Sequence, residues 1–144
     1  CIRDRITPIE DHCHLNIVIA QADSGLSTPD VFAGCEVPEN PVRIQPMVDA
    51  VSSGDPSRVS DHIHNRLYVP AARLAPSVRG IEKTMMDAGC LASAMTGSGT
   101  AVSGICRNAT QARRIAGLLR ARQIGWVRAT STIPVTNYLP LLAS

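Results

Sequence analysis

The most constraining segment of the chain is residues 92–106, which read ASAMTGSGTAVSGIC. Two runs of small and β-prone residues, Ala92–Met95 and Ala101–Cys106, flank a turn that has two glycines around a serine. This pattern predicts two strands joined by a tight turn. Glycines on both sides of a serine let the backbone point several N–H groups toward one place, which attracts anions, phosphate above all. The segment is therefore a candidate phosphate loop, and the alternative is a hairpin turn that binds nothing.

The segments before this hairpin predict one strand and then several helices. Val and Ile are dense in His14–Ala20, which predicts a strand. A helix is predicted from Thr28 to about Ala33, with Thr28 as the N-cap and Pro29 at the first helical position. Further helices are predicted at Pro46–Ser53, from Ser57 to about His64, at Pro70–Leu74, and from Pro76 to Gly89.

The segments after the hairpin complete a familiar order of elements. A helix is predicted at Ala109–Arg122 and a last strand at Trp126–Ile133. Without the inserted helices, the order is close to βαββαβ, which is the ferredoxin-like split sandwich of the α+β class. We therefore expect a four-stranded antiparallel sheet with two main helices on one face. A length of 144 residues fits a single domain.

Composition excludes several classes of protein. A hydrophobic content of 44% with 18% charged residues is typical of a folded domain rather than a disordered chain. A net charge of +2 is too small to favour nucleic acid or an anionic membrane as a partner, and the arginines of the last helix predict only a solvated face. We see no leader and no apolar run near 18 residues, and so expect no membrane association. Five scattered cysteines without a Cys-x-x-Cys pair favour reduced thiols and a cytoplasmic location.

The glycine turn does not match two common nucleotide motifs. A Walker A loop needs a lysine after its second glycine, and the only lysine of this chain is Lys83. A dinucleotide fingerprint needs glycine where Val102 stands. A phosphate role of the turn must therefore depend on backbone amides, with the Ser98 and Thr100 hydroxyls in support.

The histidines and the single phenylalanine are two further candidates for a functional role. The histidines form two pairs, His12 with His14 and His62 with His64, which could hold a metal only if both pairs converged, so surface histidines are the expectation and no metal site is predicted. The only phenylalanine, Phe32, lies one turn into the helix that begins at Thr28. It is either a core residue, the usual fate of Phe, or a stacking platform for a ligand.

Three segments occur in the order and spacing seen in the GHMP kinases, and the chain resembles that family over roughly Thr7 to Thr132. They are Gly25-Leu26-Ser27-Thr28-Pro29-Asp30-Val31-Phe32, His64-Asn65-Arg66-Leu67 followed by Pro70-Ala71-Ala72, and Met95-Thr96-Gly97-Ser98-Gly99-Thr100-Ala101-Val102. One departure is Asn65-Arg66-Leu67-Tyr68, which stands where the family often has Asn-Asp-Leu-Glu.

The resemblance implies half of an ATP- and Mg²⁺-dependent enzyme. Family members have two domains, and residues 1–144 look like the C-terminal one; the main ATP loop, the catalytic Asp and the catalytic Lys belong to an N-terminal domain that this chain lacks. No catalytic residue is therefore expected here, and the chain alone should be inactive. The resemblance is greatest to members that phosphorylate the 2-hydroxyl of a cytidyl alcohol in the non-mevalonate isoprenoid pathway.

Site residues follow from the resemblance by position. Gly97, Ser98, Gly99 and Thr100 would line the cleft near the phosphates, and Thr28 and Phe32 would face the cytosine of the substrate. Two alternatives stay open. One is another small-molecule kinase of the family, such as a homoserine or mevalonate kinase. The other is a non-catalytic ferredoxin-like module that binds a small molecule or a protein partner.

Overall fold

A computed structural model describes residues 13–133, which form one antiparallel sheet with helices on both faces. The strands are β1 (Asn16–Gln21), β2 (Ala92–Met95), β3 (Ala101–Cys106) and β4 (Trp126–Ser131). The helices are α1 (Thr28–Ala33), α2 (Gln45–Ser52), α3 (Pro56–His62), α4 (Tyr68–Leu74), α5 (Ser77–Asp87) and α6 (Ala109–Ala121).

The order of strands across the sheet is β2-β3-β1-β4, and every neighbouring pair is antiparallel. This is the arrangement that the sequence predicts for a ferredoxin-like split sandwich, and it is confirmed. The β2–β3 hairpin has the predicted bounds, with Met95 opposite Val102 in the register. The hairpin supplies the edge strand β2 and the inner strand β3. The turn at residues 96–100 therefore lies at one end of these two strands.

The main core lies on the face of the sheet that α5 and α6 cover. Successive side chains of a strand point to opposite faces, so Val18 and Ala20 of β1 share a face with Val102 and Cys106 of β3. These side chains pack with the apolar stripes of the two long helices, whose fully buried members include Val78, Met85, Ile115 and Leu119. The two main helices thus lie on one face, as expected.

The inserted helices have two different places in the fold. Ala50 of α2 and Val59 of α3 pack with Ile105, whose side chain points to the face opposite the main core. Ala71 of α4 belongs instead to the main core cluster, beside the sheet. Of the inserted helices before Pro76, α2 and α3 therefore pack on the face opposite the main core, whereas α4 packs with the main core.

Several predicted boundaries differ from the structure for identifiable reasons. β1 begins at Asn16 rather than His14, because Leu15 N–H donates to the hydroxyl of Thr132 (2.9 Å) outside the ladder. The N-cap of α3 is Asp55 rather than Ser57: the Asp55 carboxylate accepts a hydrogen bond from Ser57 N–H at 2.9 Å.

The predicted ends of four elements and one cap also shift. α2 ends at Ser52, α3 at His62, α6 at Ala121 and β4 at Ser131, each one or two residues before the predicted end. The N-cap of α1 is Ser27, and Thr28 is already the first helical residue. The hydroxyl of Thr28 is consequently not used as a cap and makes a different contact, described below.

Candidate functional site

The glycine turn at residues 96–100 has the backbone that its sequence predicts. Gly97 and Gly99 both have positive φ angles, of 57° and 91°. A Cβ atom added at Gly99 would lie 2.8 Å from Met95 Sδ and 3.2 Å from Leu26 Cδ1, which is closer than such atoms pack. Glycine at position 99 is therefore required both for its φ angle and for the space around it.

Part of the hydrogen-bonding capacity of the turn is used within the turn itself. Gly99 N–H donates to the Thr96 carbonyl at 3.1 Å, and Thr96 N–H donates to the Ala101 carbonyl at 2.8 Å. These two amides close the hairpin and are not available to a ligand. The Gly99 amide thus stabilises the shape of the turn rather than adding a donor to it.

Thr100 differs from the other residues of the turn because its side chain is directed inward. It is 1% exposed, and its hydroxyl donates to the Ser24 carbonyl at 3.0 Å, with the Ala22 carbonyl at 3.4 Å. The sequence suggested that this hydroxyl supports phosphate binding. In the structure this hydroxyl instead holds the loop that follows β1, and Thr100 as a whole is buried.

Ser98 and Thr28 bring the turn and helix α1 together. Ser98 Oγ lies 2.9 Å from Thr28 Oγ1, across 70 residues of sequence, and either hydroxyl can donate. The side chain of Thr28 is exposed and that of Ser98 is half-buried. A residue expected at the phosphates and a residue expected at the base of the substrate therefore share one hydrogen bond at the surface.

Phe32 lies on the outer side of α1. Its side chain is 58% exposed, whereas the adjacent Val31 is fully buried in the main core. The interpretation of Phe32 as a core residue is therefore wrong. An exposed aromatic ring one turn from Thr28 has a free face on which a planar ligand can stack.

Asn65, in the connection between α3 and α4, holds the turn from a second side. Its Nδ2 group donates to the carbonyls of Met95 (2.7 Å) and Gly97 (3.0 Å), and its Oδ1 accepts from Leu67 N–H (2.9 Å). Asn65 belongs to one of the segments that resemble the GHMP kinases, His64-Asn65-Arg66-Leu67, but the sequence predicts no role for it. Its partners lie about thirty residues away, so no local pattern identifies them.

Glu82 of α5 holds the first strand of the hairpin. Its Oε1 accepts a hydrogen bond from Met95 N–H at 3.1 Å. Burial, and then a hydrogen bond to Glu82, raise the pKa of the Tyr68 phenol. Helices α4 and α5 are thus linked to the start of the turn through one carboxylate that sequence reasoning did not single out.

An open groove of about 670 Å³ lies beside the turn. Two segments line it, one that follows α1 and one that runs from the α3–α4 connection into α4; they include Val37, Asn40, Val42, Asn65 and Val69. Its wall is mostly apolar, with a few amide and charged groups. Asn65 belongs to this wall and also contacts the turn, so the two features are contiguous.

Neither a cluster of metal-ligating side chains nor a membrane-spanning helix occurs among the described residues. Within residues 13–133, no three His, Cys, Asp or Glu side chains come close enough to hold a metal ion. His12 lies outside the described residues. Two arginines of the basic helix serve the fold: Arg114 donates to the Ala88 carbonyl (2.6 Å) and Arg120 to the Val127 carbonyl (3.0 Å). Over the same range, no helix has the length and apolar character needed to cross a membrane.

Comparison with known proteins connects this geometry to a family. The model of the GHMP kinase C-terminal domain matches residues 47–123. A 4-diphosphocytidyl-2-C-methyl-D-erythritol kinase of Corynebacterium diphtheriae is 30% identical over 138 residues, which cover 92% of this chain and 42% of that protein. The enzyme of the same name from Streptomyces coelicolor is 34% identical over 125 residues, which cover 82% of this chain and 42% of that protein.

A solved structure agrees in fold and in name. A crystal structure of 4-(cytidine 5'-diphospho)-2C-methyl-D-erythritol kinase superposes with a TM-score of 0.71 at 25% identity and covers 91% of this chain and 47% of that one. The chain therefore spans less than half the length of the kinases it matches. The family model covers more than half of the chain, and the fold agrees with that of the solved kinase, so this chain belongs to the GHMP kinase family and corresponds to its C-terminal domain.

Proposed function

We propose that this chain is the C-terminal, substrate-binding half of an ATP-dependent kinase that phosphorylates the 2-hydroxyl of 4-diphosphocytidyl-2-C-methyl-D-erythritol. The observation that carries the proposal is the hydrogen bond between Thr28 and Ser98. It supports a site in which the base-binding helix and the phosphate-binding turn meet at one surface. The names of the relatives with 30% and 34% identity favour this alcohol as substrate.

In this proposal, the turn acts through position and backbone charge. Phosphoryl transfer needs its reacting groups held in line and the developing negative charge stabilised. ATP bound between the two halves of the protein would meet the outer surface of Gly97 and Ser98, where the Ser98 hydroxyl can donate to a phosphate oxygen. Mg²⁺ would neutralise phosphate charge when bound to ATP in the full-length protein.

Phe32 and Thr28 orient the cytidyl group in this proposal. The exposed ring of Phe32 stacks on the cytosine, and Thr28 supplies a hydroxyl close to it. The main ATP loop, the catalytic Asp and the catalytic Lys belong to an N-terminal domain of the same protein. We place this kinase in the cytoplasm, because five scattered cysteines without a Cys-x-x-Cys pair favour reduced thiols.

The test is a substrate comparison with the full-length protein that contains this chain. The protein is incubated with ATP, Mg²⁺ and one of three alcohols: the cytidyl methylerythritol, homoserine or mevalonate. We expect phosphoryl transfer to the cytidyl alcohol with a kcat/KM at least about 10⁴ M⁻¹s⁻¹, a value common among enzymes. If the protein turns over homoserine or mevalonate in preference, it is a kinase with a substrate other than the one proposed. If it turns over none of the alcohols, the result favours a non-catalytic binding module.

A further inference from the structure

The glycine turn is connected to the groove through one side chain, Asn65. The Asn65 amide group makes three hydrogen bonds, two as donor and one as acceptor, which is nearly all that an asparagine side chain can make. The two acceptors, Met95 O and Gly97 O, lie on either side of Thr96, where β2 passes into the turn. One planar amide therefore fixes the spacing of two carbonyl groups at the start of the turn.

The other end of Asn65 is fixed by its own chain. The Oδ1 atom accepts from Leu67 N–H, so the side chain is held by the beginning of α4 and has little rotational freedom. Leu67 packs against the main core, which makes this support rigid. A rigidly held donor transmits its position to the two carbonyls, whereas a mobile side chain would follow them.

Asn65 also forms part of the wall of the groove. Its neighbours in the chain, His64 and Arg66, line the same wall. A ligand that contacts this wall of the groove and a ligand that binds the turn therefore both act on the side chain of Asn65. Glu82, Thr28, Ser24 and Ala22 also bond to the hairpin from outside it, and they do not line the groove.

We infer that Asn65 is a positioning residue for phosphoryl transfer, which sets the backbone of Gly97 and Ser98 against the phosphates through its hydrogen bonds to Met95 O and Gly97 O. This inference rests on the proposed function. Asn65 touches neither substrate in this account; it acts by holding the turn. Its loss should lower the rate of the chemical step more than the affinity for either substrate, because a misplaced donor aligns the reacting groups less well.

The test compares two variants of the full-length protein, Asn65→Asp and Asn40→Asp. The first keeps the oxygen that accepts from Leu67 N–H and replaces the donor by an oxygen that repels the Met95 and Gly97 carbonyls. The second makes the same chemical change at an exposed asparagine in the wall of the same groove and is the matched control. Each is measured for kcat, for both KM values, for melting temperature and for exchange of the Gly99 amide hydrogen.

We expect Asn65→Asp to lower kcat about 100-fold while both KM values change less than about threefold. The Gly99 amide, which closes the turn onto Thr96, should exchange at least about tenfold faster. Lowering the pH should restore part of kcat relative to wild type, because a protonated carboxyl group can donate to one of the two carbonyls. Asn40→Asp should leave all of these quantities unchanged.

Equal kcat in the two variants would overturn the inference. So would a fall in kcat that merely follows loss of folded protein, with Gly99 exchange unchanged in the folded fraction. If the wild-type protein phosphorylates none of the alcohols, the proposed function fails, and the comparison of Gly99 exchange still decides whether Asn65 positions the turn.

Discussion

The hydroxyl of Thr28 lies 2.9 Å from the hydroxyl of Ser98, and this contact joins the first turn of α1 to the glycine turn between β2 and β3. It links two segments that the sequence separates by 70 residues. The resemblance to the GHMP kinases predicts that the glycine turn lies near the phosphates and that α1 faces the cytosine. Their contact predicts that movements of α1 and of the glycine turn are coupled.

That coupling is measurable in a double-mutant cycle of Thr28→Val and Ser98→Ala. A hydrogen bond of this kind contributes about 0.5–1.5 kcal/mol to the free energy of unfolding. We therefore expect the double variant to lose less stability than the sum of the two single variants by about that amount. Additive losses in urea denaturation would mean that the two hydroxyls do not interact in solution.

Phe32→Ala should weaken substrate binding without destabilising the fold. The ring is 58% exposed, so its removal costs little packing, while stacking on a base is worth about 1–3 kcal/mol, or about 5- to 150-fold in KM for the cytidyl alcohol. The KM for ATP should barely change. The control is Val31→Ala on the same helix, whose side chain is fully buried; it should lower stability by up to about 1.5–3 kcal/mol. A drop in melting temperature for Phe32→Ala without a selective rise in KM would contradict the stacking role.

Gly99→Val should abolish kinase activity of the full-length protein. The φ angle of 91° is poorly accessible to a β-branched residue, and the new Cβ atom would lie 2.8 Å from Met95 Sδ. The turn must then change shape, and the backbone at Gly97 and Ser98 moves with it. Steady-state kinetics and circular dichroism on the same sample separate loss of activity from loss of fold.

The control for Gly99 is Gly117→Ala in α6. A Cβ atom at Gly117 meets nothing within 4 Å, so this change should raise stability by about 0.5–1 kcal/mol and leave activity intact. Normal kinetics in a folded Gly99→Val protein would mean that the turn only connects β2 to β3 and has no role in kinase activity.

Glu82→Gln should lower the pKa of Tyr68 toward its ordinary value. In the wild type, burial and the nearby carboxylate both favour the neutral phenol and raise its pKa. A group whose pKa is raised by folding stabilises the protein below the pKa of the unfolded chain, near 10, and this contribution is lost as the pH rises through the folded value. Ultraviolet titration of tyrosinate, with Tyr68→Phe to assign the signal, measures the shift. An unchanged Tyr68 titration in Glu82→Gln would mean that the carboxylate does not contact the phenol.

The sequence predicted most of the framework because its signals are local. The sequence predicts the bounds of both hairpin strands to the residue, since each strand is a run of small and β-prone residues next to the glycine turn. Caps were less certain because two polar residues compete for the same role. Ser27 precedes Thr28, and Asp55 precedes Ser57, and in both cases the earlier residue is the N-cap of the helix.

The site was predicted only in part because its main contacts are long-range. Thr28, Phe32 and the glycine turn could be named from motifs. The contacts of Asn65 and Glu82 with Met95 could not, because they join residues 30 and 13 positions apart through backbone groups that carry no sequence signature. The inward direction of the Thr100 hydroxyl was missed for the same reason, since its acceptors lie at residues 22 and 24.

We propose that residues 1–144 supply the substrate-binding half of a kinase and none of its catalytic groups. Phosphoryl transfer from ATP to the cytidyl alcohol, in the presence of Mg²⁺, is measured for residues 1–144 alone and for the full-length protein at equal molar concentration. We expect turnover by the full-length protein and none by residues 1–144 alone. Turnover by the chain alone in the usual enzyme range of about 1–10³ s⁻¹ would contradict the proposal.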